Sequence, residues 1–116
     1  MNRMMLMRMD GAKRVRALGD IREEALRRLE SVDEVRADLL PLLPENAEWP
    51  EGSTRGAWNG GQSGWLEVEA KRPDDVTIEC TGFWDEVEET LTRIWETDRW
   101  FIFDLEGTEV FIPRGR

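Results

Sequence analysis

The sequence predicts an α+β domain: an N-terminal helical pair, then a β-hairpin, a helix and a second β-hairpin. The hairpins are expected to form a four-stranded, mostly antiparallel sheet packed against helices. Three observations carry this prediction. Leu66, Val68 and Ala70, and then Val76, Ile78 and Cys80, alternate with polar residues at the period of a half-buried strand. Trp84, Val87, Leu91, Ile94 and Trp95 recur at helical spacing. Residues 100–105 and 108–112 are rich in aromatic and branched side chains and flank Glu106-Gly107, a dipeptide suited to a tight turn.

Taken in chain order, residues 1–10 crowd five methionines into a run broken by Arg3 and Arg8. This stretch is too interrupted for a signal or membrane segment and is expected to be a flexible leader with several candidate start codons. Residues 11–116 are expected to form one domain. Within it, Val15, Leu18, Ile21, Ala25, Leu29 and Val32 recur every three or four residues, which predicts an amphipathic helix. Asp20 and Glu23 stand at capping-box spacing just after Gly19, so that helix starts or bends there. A second capping box, Ser31 with Glu34, opens a short helix carrying Val35, Leu39 and Leu40, which Pro41 and Pro44 close.

Residues 44–64 hold two prolines and five glycines without a period, the pattern of a long loop. Trp49 and Trp58 within it are read as anchors that pin the loop to the body, the competing role being exposed binding anchors. The first hairpin turns at Arg72-Pro73-Asp74-Asp75, and Cys80 on its apolar face is expected to be a buried small hydrophobe. The helix after Gly82 gathers Asp85, Glu86, Glu88 and Glu89 in its first turns, where the helix dipole favours carboxylates. In the second hairpin a two-residue turn pairs Phe103 with Val110 and Phe101 with Ile112. Its reverse face carries Trp100, Ile102 and Phe111, which is too apolar for water and requires a cover from the N-terminal helix, the long loop or another subunit.

Composition narrows the chemistry. With 116 residues there is room for one core and no separate substrate domain. The absence of His and Tyr excludes an imidazole acid or base, a His-based triad and a His-ligated metal. One Cys excludes an internal disulfide and a Cys-rich zinc site and suits a reducing compartment, so a cytoplasmic location is expected. Charge is unevenly spread: residues 1–30 carry eight basic and five acidic side chains, residues 31–116 eight basic and twenty acidic. An acidic body repels phosphates and attracts basic protein surfaces. The basic residues Lys13, Arg14, Arg16, Arg22, Arg27 and Arg28 are interleaved with acids and spread over more than one helix face, unlike a nucleic-acid-reading helix.

No motif names a reaction. Glu69-Ala70-Lys71 has the acid-x-Lys step of metal-dependent nucleases but lacks the acidic ligand that should precede it. Asp104, Glu106 and Glu109 cluster without the calcium-loop pattern, and residues 60–64 lack the lysine of a phosphate-binding loop. Neither a cofactor nor a metal is expected. The expectation is a small acidic binding module without catalysis, of inhibitor type. Its carboxylates Glu67, Glu69, Glu79, Asp85, Glu86, Glu89 and Glu96 would imitate a phosphate backbone and engage the basic surface of a nucleic-acid-processing enzyme or toxin. In composition alone it resembles phage anti-defence proteins and toxin-neutralising immunity proteins. The alternatives are a structural subunit that self-associates through Trp100, Ile102 and Phe111, and a carboxylate-only or metal-dependent enzyme.

Overall fold

One antiparallel sheet runs through the protein. The computed structural model describes residues 2–29, 31–69, 75–80 and 84–116, and only the backbone of Asp75, Glu79, Cys80, Trp84 and Asp85. Its strands are β1 (Asn2–Arg8), β2 (Ala47–Glu48), β3 (Arg55–Trp58), β4 (Gly64–Val68), β5 (Asp75–Cys80), β6 (Trp100–Asp104) and β7 (Glu109–Val110). Its two α-helices are α1 (Val32–Leu39) and α2 (Trp84–Glu96). The strand order β2-β3-β4-β5-β1-β6-β7 makes seven strands among the described residues, where the sequence predicts four.

The largest departure is at the start of the chain. The stretch expected to be a flexible leader is β1, paired on one side with β5, Leu6 opposite Val76, and on the other with β6, Leu6 opposite Ile102. Met4 and Leu6 are completely buried, at 0% exposure. Met7 and Met9 on the opposite face pack into a second apolar cluster. A strand covered on both faces loses its polar–apolar alternation, which is why its methionines do not read as a strand. The two hairpins therefore do not adjoin each other; β1 separates them.

The second correction concerns residues 11–29. No N-terminal helical pair forms: α1 is preceded by three short 3₁₀ turns, Ala12–Arg14, Leu18–Asp20 and Glu23–Ala25. A 3₁₀ turn also repeats near every third residue, so the apolar spacing is met without an α-helix. Asp20 closes the turn behind it, accepting from the backbone N–H groups of Arg16 and Ala17 at 3.1 Å each, and caps no helix ahead of it. The segment lies over the outer face of β1 and β6, where Met9, Ala12, Val15 and Phe101 form the second cluster. Backbone bonds hold it there: Asp10 N–H to Ala25 C=O at 3.0 Å, Arg27 N–H to Arg8 C=O at 2.9 Å, and Gly11 N–H to Asp98 C=O at 3.1 Å.

The remaining elements follow the sequence more closely. Ser31 Oγ accepts from Glu34 N–H at 3.2 Å and opens α1 as the capping box predicts. In the first hairpin Leu66 faces Ile78 and Val68 faces Val76. Its turn at residues 70–74 and the Cys80 side chain lie outside the described residues. The α2 stripe is buried at Val87, Leu91, Ile94 and Trp95. In the second hairpin Phe103 pairs with Val110 as expected, but the ladder stops at Asp104–Glu109 and leaves a four-residue loop in place of the two-residue turn. Asp104 Oδ1 accepts from the N–H groups of Glu106 and Gly107 at 2.9 and 3.1 Å, so a side chain replaces the last ladder bonds.

The main core lies between the inner sheet face and the two helices. Met4, Leu6, Leu66, Val68, Val76, Ile78, Trp100 and Ile102 meet Val35 and Leu39 of α1 and Val87, Leu91 and Ile94 of α2. Trp100 Nε1 donates to Asp38 of α1, which also pairs with Arg99. The long loop contributes β2 and β3 to the sheet, and both of its tryptophans are buried anchors. Trp49 lies so close over Gly56 that a Cβ there would come within 2.9 Å of Trp49 Cε3, so only glycine fits that point of β3.

Two predictions follow from this architecture. Leu6→Ala should cost about 2–5 kcal/mol, read as a lower urea midpoint, whereas a substitution in a loose leader would leave the midpoint unmoved. Asp10 accepts from Arg27 at 2.6 Å and Arg8 at 2.9 Å, and these guanidinium hydrogen bonds, Arg27 first, hold its carboxyl below the usual aspartate value. A carboxyl depressed on folding stabilises the fold above its ordinary pKa, and that contribution is lost as pH falls through the folded value. Amide protection across residues 9–29, taken relative to the intrinsic exchange rate at each pH, should therefore fall at acid pH, and Asp10→Asn should remove this step.

Candidate functional site

Beside α2, a cleft of about 740 Å³ opens between the helix, the chain after α1 and the end of β3. Three stretches build it. Pro41, Leu43, Pro44, Glu45 and Asn46 form one wall, because Pro41 and Pro44 stop the chain from continuing α1 and turn it across the end of the core. Glu86, Val87, Glu89, Thr90 and Arg93 of α2 form the other wall. Trp58, Asn59 and Ser63 close the end nearest the sheet, Trp58 from the last position of β3.

The helix wall has a simple origin. Positions 86, 89, 90 and 93 are spaced by three and four residues, so they line up on one side of α2, next to its buried stripe. Glu86 and Glu89 are exposed, while Thr90 is 4% exposed. Arg93 is already committed. Its Nε donates to the Leu42 carbonyl at 2.9 Å, Nη1 to Glu89 at 3.2 Å and Nη2 to the Thr90 hydroxyl at 3.2 Å. It thus ties the chain after α1 to α2 and holds the two walls in place. Among the described residues the cleft shows three carboxylates, Glu45, Glu86 and Glu89, against this single guanidinium.

The structure divides the acidic residues that the sequence groups together. Glu86 and Glu89 line the cleft. Glu67 and Glu69 are exposed and alternate with the buried Leu66 and Val68, so they stand on the sheet face away from the helices, where Glu67 accepts from Thr54 Oγ1 at 2.9 Å. The sheet lies between these two sets, so Glu67 and Glu69 do not continue the row of Glu86 and Glu89. Glu96, at the end of α2, is ion-paired with Arg116, and Glu88 with Arg114. The side chains of Glu79 and Asp85 lie outside the described residues; the backbone of Glu79 pairs with Arg3 and Trp65.

The other nominated positions are accounted for as follows. Trp49 and Trp58 are 3% and 6% exposed, anchors of the loop and not exposed binding groups. Trp100, Ile102 and Phe111 are 0%, 1% and 7% exposed. The two helices supply the cover their apolarity demands, so they offer no face to a second copy. Among the described residues, no group of three or more acidic or Cys side chains is placed to hold a metal ion. Of Glu69-Ala70-Lys71, the last two residues lie outside the description.

Sequence reasoning missed Glu45, Asn46, Asn59, Ser63, Thr90 and Arg93 at the cleft. The ridge 86-89-90-93 was open to a helical projection, but the loop residues opposite it carry no local signal. Among the described residues no helix is long and apolar enough to cross a membrane. No protein-family model, curated protein or solved structure matches this chain.

Arg93→Ala should lower stability by about 1–2 kcal/mol through the lost bond to the Leu42 carbonyl. Faster amide exchange in residues 40–46 would localise the effect.

Proposed function

We propose that this protein is a small binding module without catalysis that receives a basic protein surface on its α2 side, with Glu45, Glu86 and Glu89 as the contact carboxylates. The observation that carries this reading is the cleft itself. Carboxylates from two separate elements converge on one concavity, and the cation described there, Arg93, is held by Leu42, Glu89 and Thr90. An incoming lysine or arginine meets a net negative charge there, three carboxylates against one guanidinium already bonded within the protein, and the acidic excess of the whole chain, −9, adds to the attraction.

An inhibitor role belongs to the same reading. A partner whose basic surface ordinarily meets nucleic-acid phosphates would find carboxylates in their place. The contact would be made by one side of the molecule, because the hairpin carboxylates Glu67 and Glu69 face the other way.

Affinity capture at low and high salt, followed by mass spectrometry, tests the proposal with the wild-type chain beside the triple variant E45Q/E86Q/E89Q. A basic protein retained at low salt, released at high salt and lost with the variant is the expected result. Capture of no protein at either salt, or equal capture by the variant, overturns it.

A further inference from the structure

The mouth of the cleft holds a covalent liability of its own. The chain has three asparagines, Asn2, Asn46 and Asn59. Two are poorly placed for attack on their own side chain by the following backbone nitrogen. Asn2 is followed by Arg3 within β1, paired to β5, and the N–H of Ala47, after Asn46, donates to the Pro44 carbonyl at 2.9 Å. Asn59 opens a one-turn 3₁₀ segment, Asn59–Gly61, and differs from both in being followed by glycine. It is exposed, it adopts φ 53, and it precedes Gly60 (φ 61) and Gly61 (φ 85). Nothing lies within 4 Å of where a Cβ would stand on either glycine. The absence of a side chain on the following residue removes the main obstacle to ring closure and leaves the backbone free to reach the geometry it needs.

We propose that Asn59 is a site of spontaneous deamidation that adds a carboxylate to the rim of the cleft. The Gly60 backbone nitrogen attacks Asn59 Cγ and a C–N bond forms between them. The side-chain amide nitrogen leaves as ammonia, taking up the proton lost by the backbone nitrogen. Water then opens the five-membered imide at one of its two carbonyls, giving aspartate or isoaspartate at position 59. Only water is consumed, and no electrons are exchanged.

Ser63 restrains the reaction. Asn59 Nδ2 donates to Ser63 Oγ at 2.9 Å, which holds the amide in one orientation, and it must be released before Cγ can swing over the Gly60 nitrogen. Asn59 and Ser63 both line the cleft, so conversion would place a further negative charge beside Glu45, Glu86 and Glu89. The consequence for partner binding rests on the function proposed above; the chemistry at Asn59 does not.

The test is to age the purified full-length chain in mildly alkaline buffer at physiological temperature and follow it by intact mass, isoelectric focusing and peptide mapping, beside N59Q, G60A and S63A. The expected result is a species more acidic by one charge, mapped to position 59 as a mixture of aspartate and isoaspartate. It should be lost in N59Q, suppressed in G60A and formed faster in S63A. A folded wild-type chain that keeps its mass at position 59, while the same chain in denaturant converts, overturns the proposal. An unchanged rate in S63A overturns the restraint. Because these readouts need no partner, they stand whichever way the capture experiment falls.

Discussion

The fold depends on the insertion of β1 between β5 and β6. Each of its two ladders joins it to one of the hairpins, and its two faces enter two different apolar clusters, Met4 and Leu6 in one and Met7 with Met9 in the other. Without it the sheet would split into β2-β3-β4-β5 and β6-β7, and the inner core would lose two completely buried side chains at its centre. A non-local pairing of this kind joins residues far apart in sequence and requires the closure of long loops before it returns any stability.

With β1 in place, the rest of the layering has few choices. The inner face is taken by α1 and α2. The outer face of β1 and β6 is apolar at Met7, Phe101 and Phe103 and needs a cover, which residues 9–29 supply as a string of 3₁₀ turns. That cover is tied to the turn after α2, where Asp98 accepts the N–H groups of Gly11 and Ala12 through its carbonyl and that of Lys13 through its carboxylate. The salt-bridged Asp10 adds a second tie between β1 and the far end of the segment, at Arg27.

The cleft is a by-product of the same arrangement. Pro41 and Pro44 turn the chain away from α1, Arg93 fixes that turn to α2, and Trp58 ends β3 against the same space. The rim of the cleft is acidic, and its arginine is bonded to Leu42, Glu89 and Thr90. The chain has no His or Tyr, so the ionisable groups described at the rim are the carboxylates Glu45, Glu86 and Glu89 and the Arg93 guanidinium.

The sequence by itself determined the local elements: the α2 stripe, the Ser31 cap of α1, the Phe103–Val110 and Leu66–Ile78 faces and the acidic character of the body. In each of these, a period or a cap is written into neighbouring residues and acts over a few residues of chain. Tertiary structure alone decided that the methionine run is a central strand, that the periodic stretch after it forms 3₁₀ turns, and that Glu67 and Glu69 face away from Glu86 and Glu89. It also decided which loop residues meet the α2 ridge. These outcomes depend on which surface is left to cover once distant strands have paired, and no local pattern carries that information.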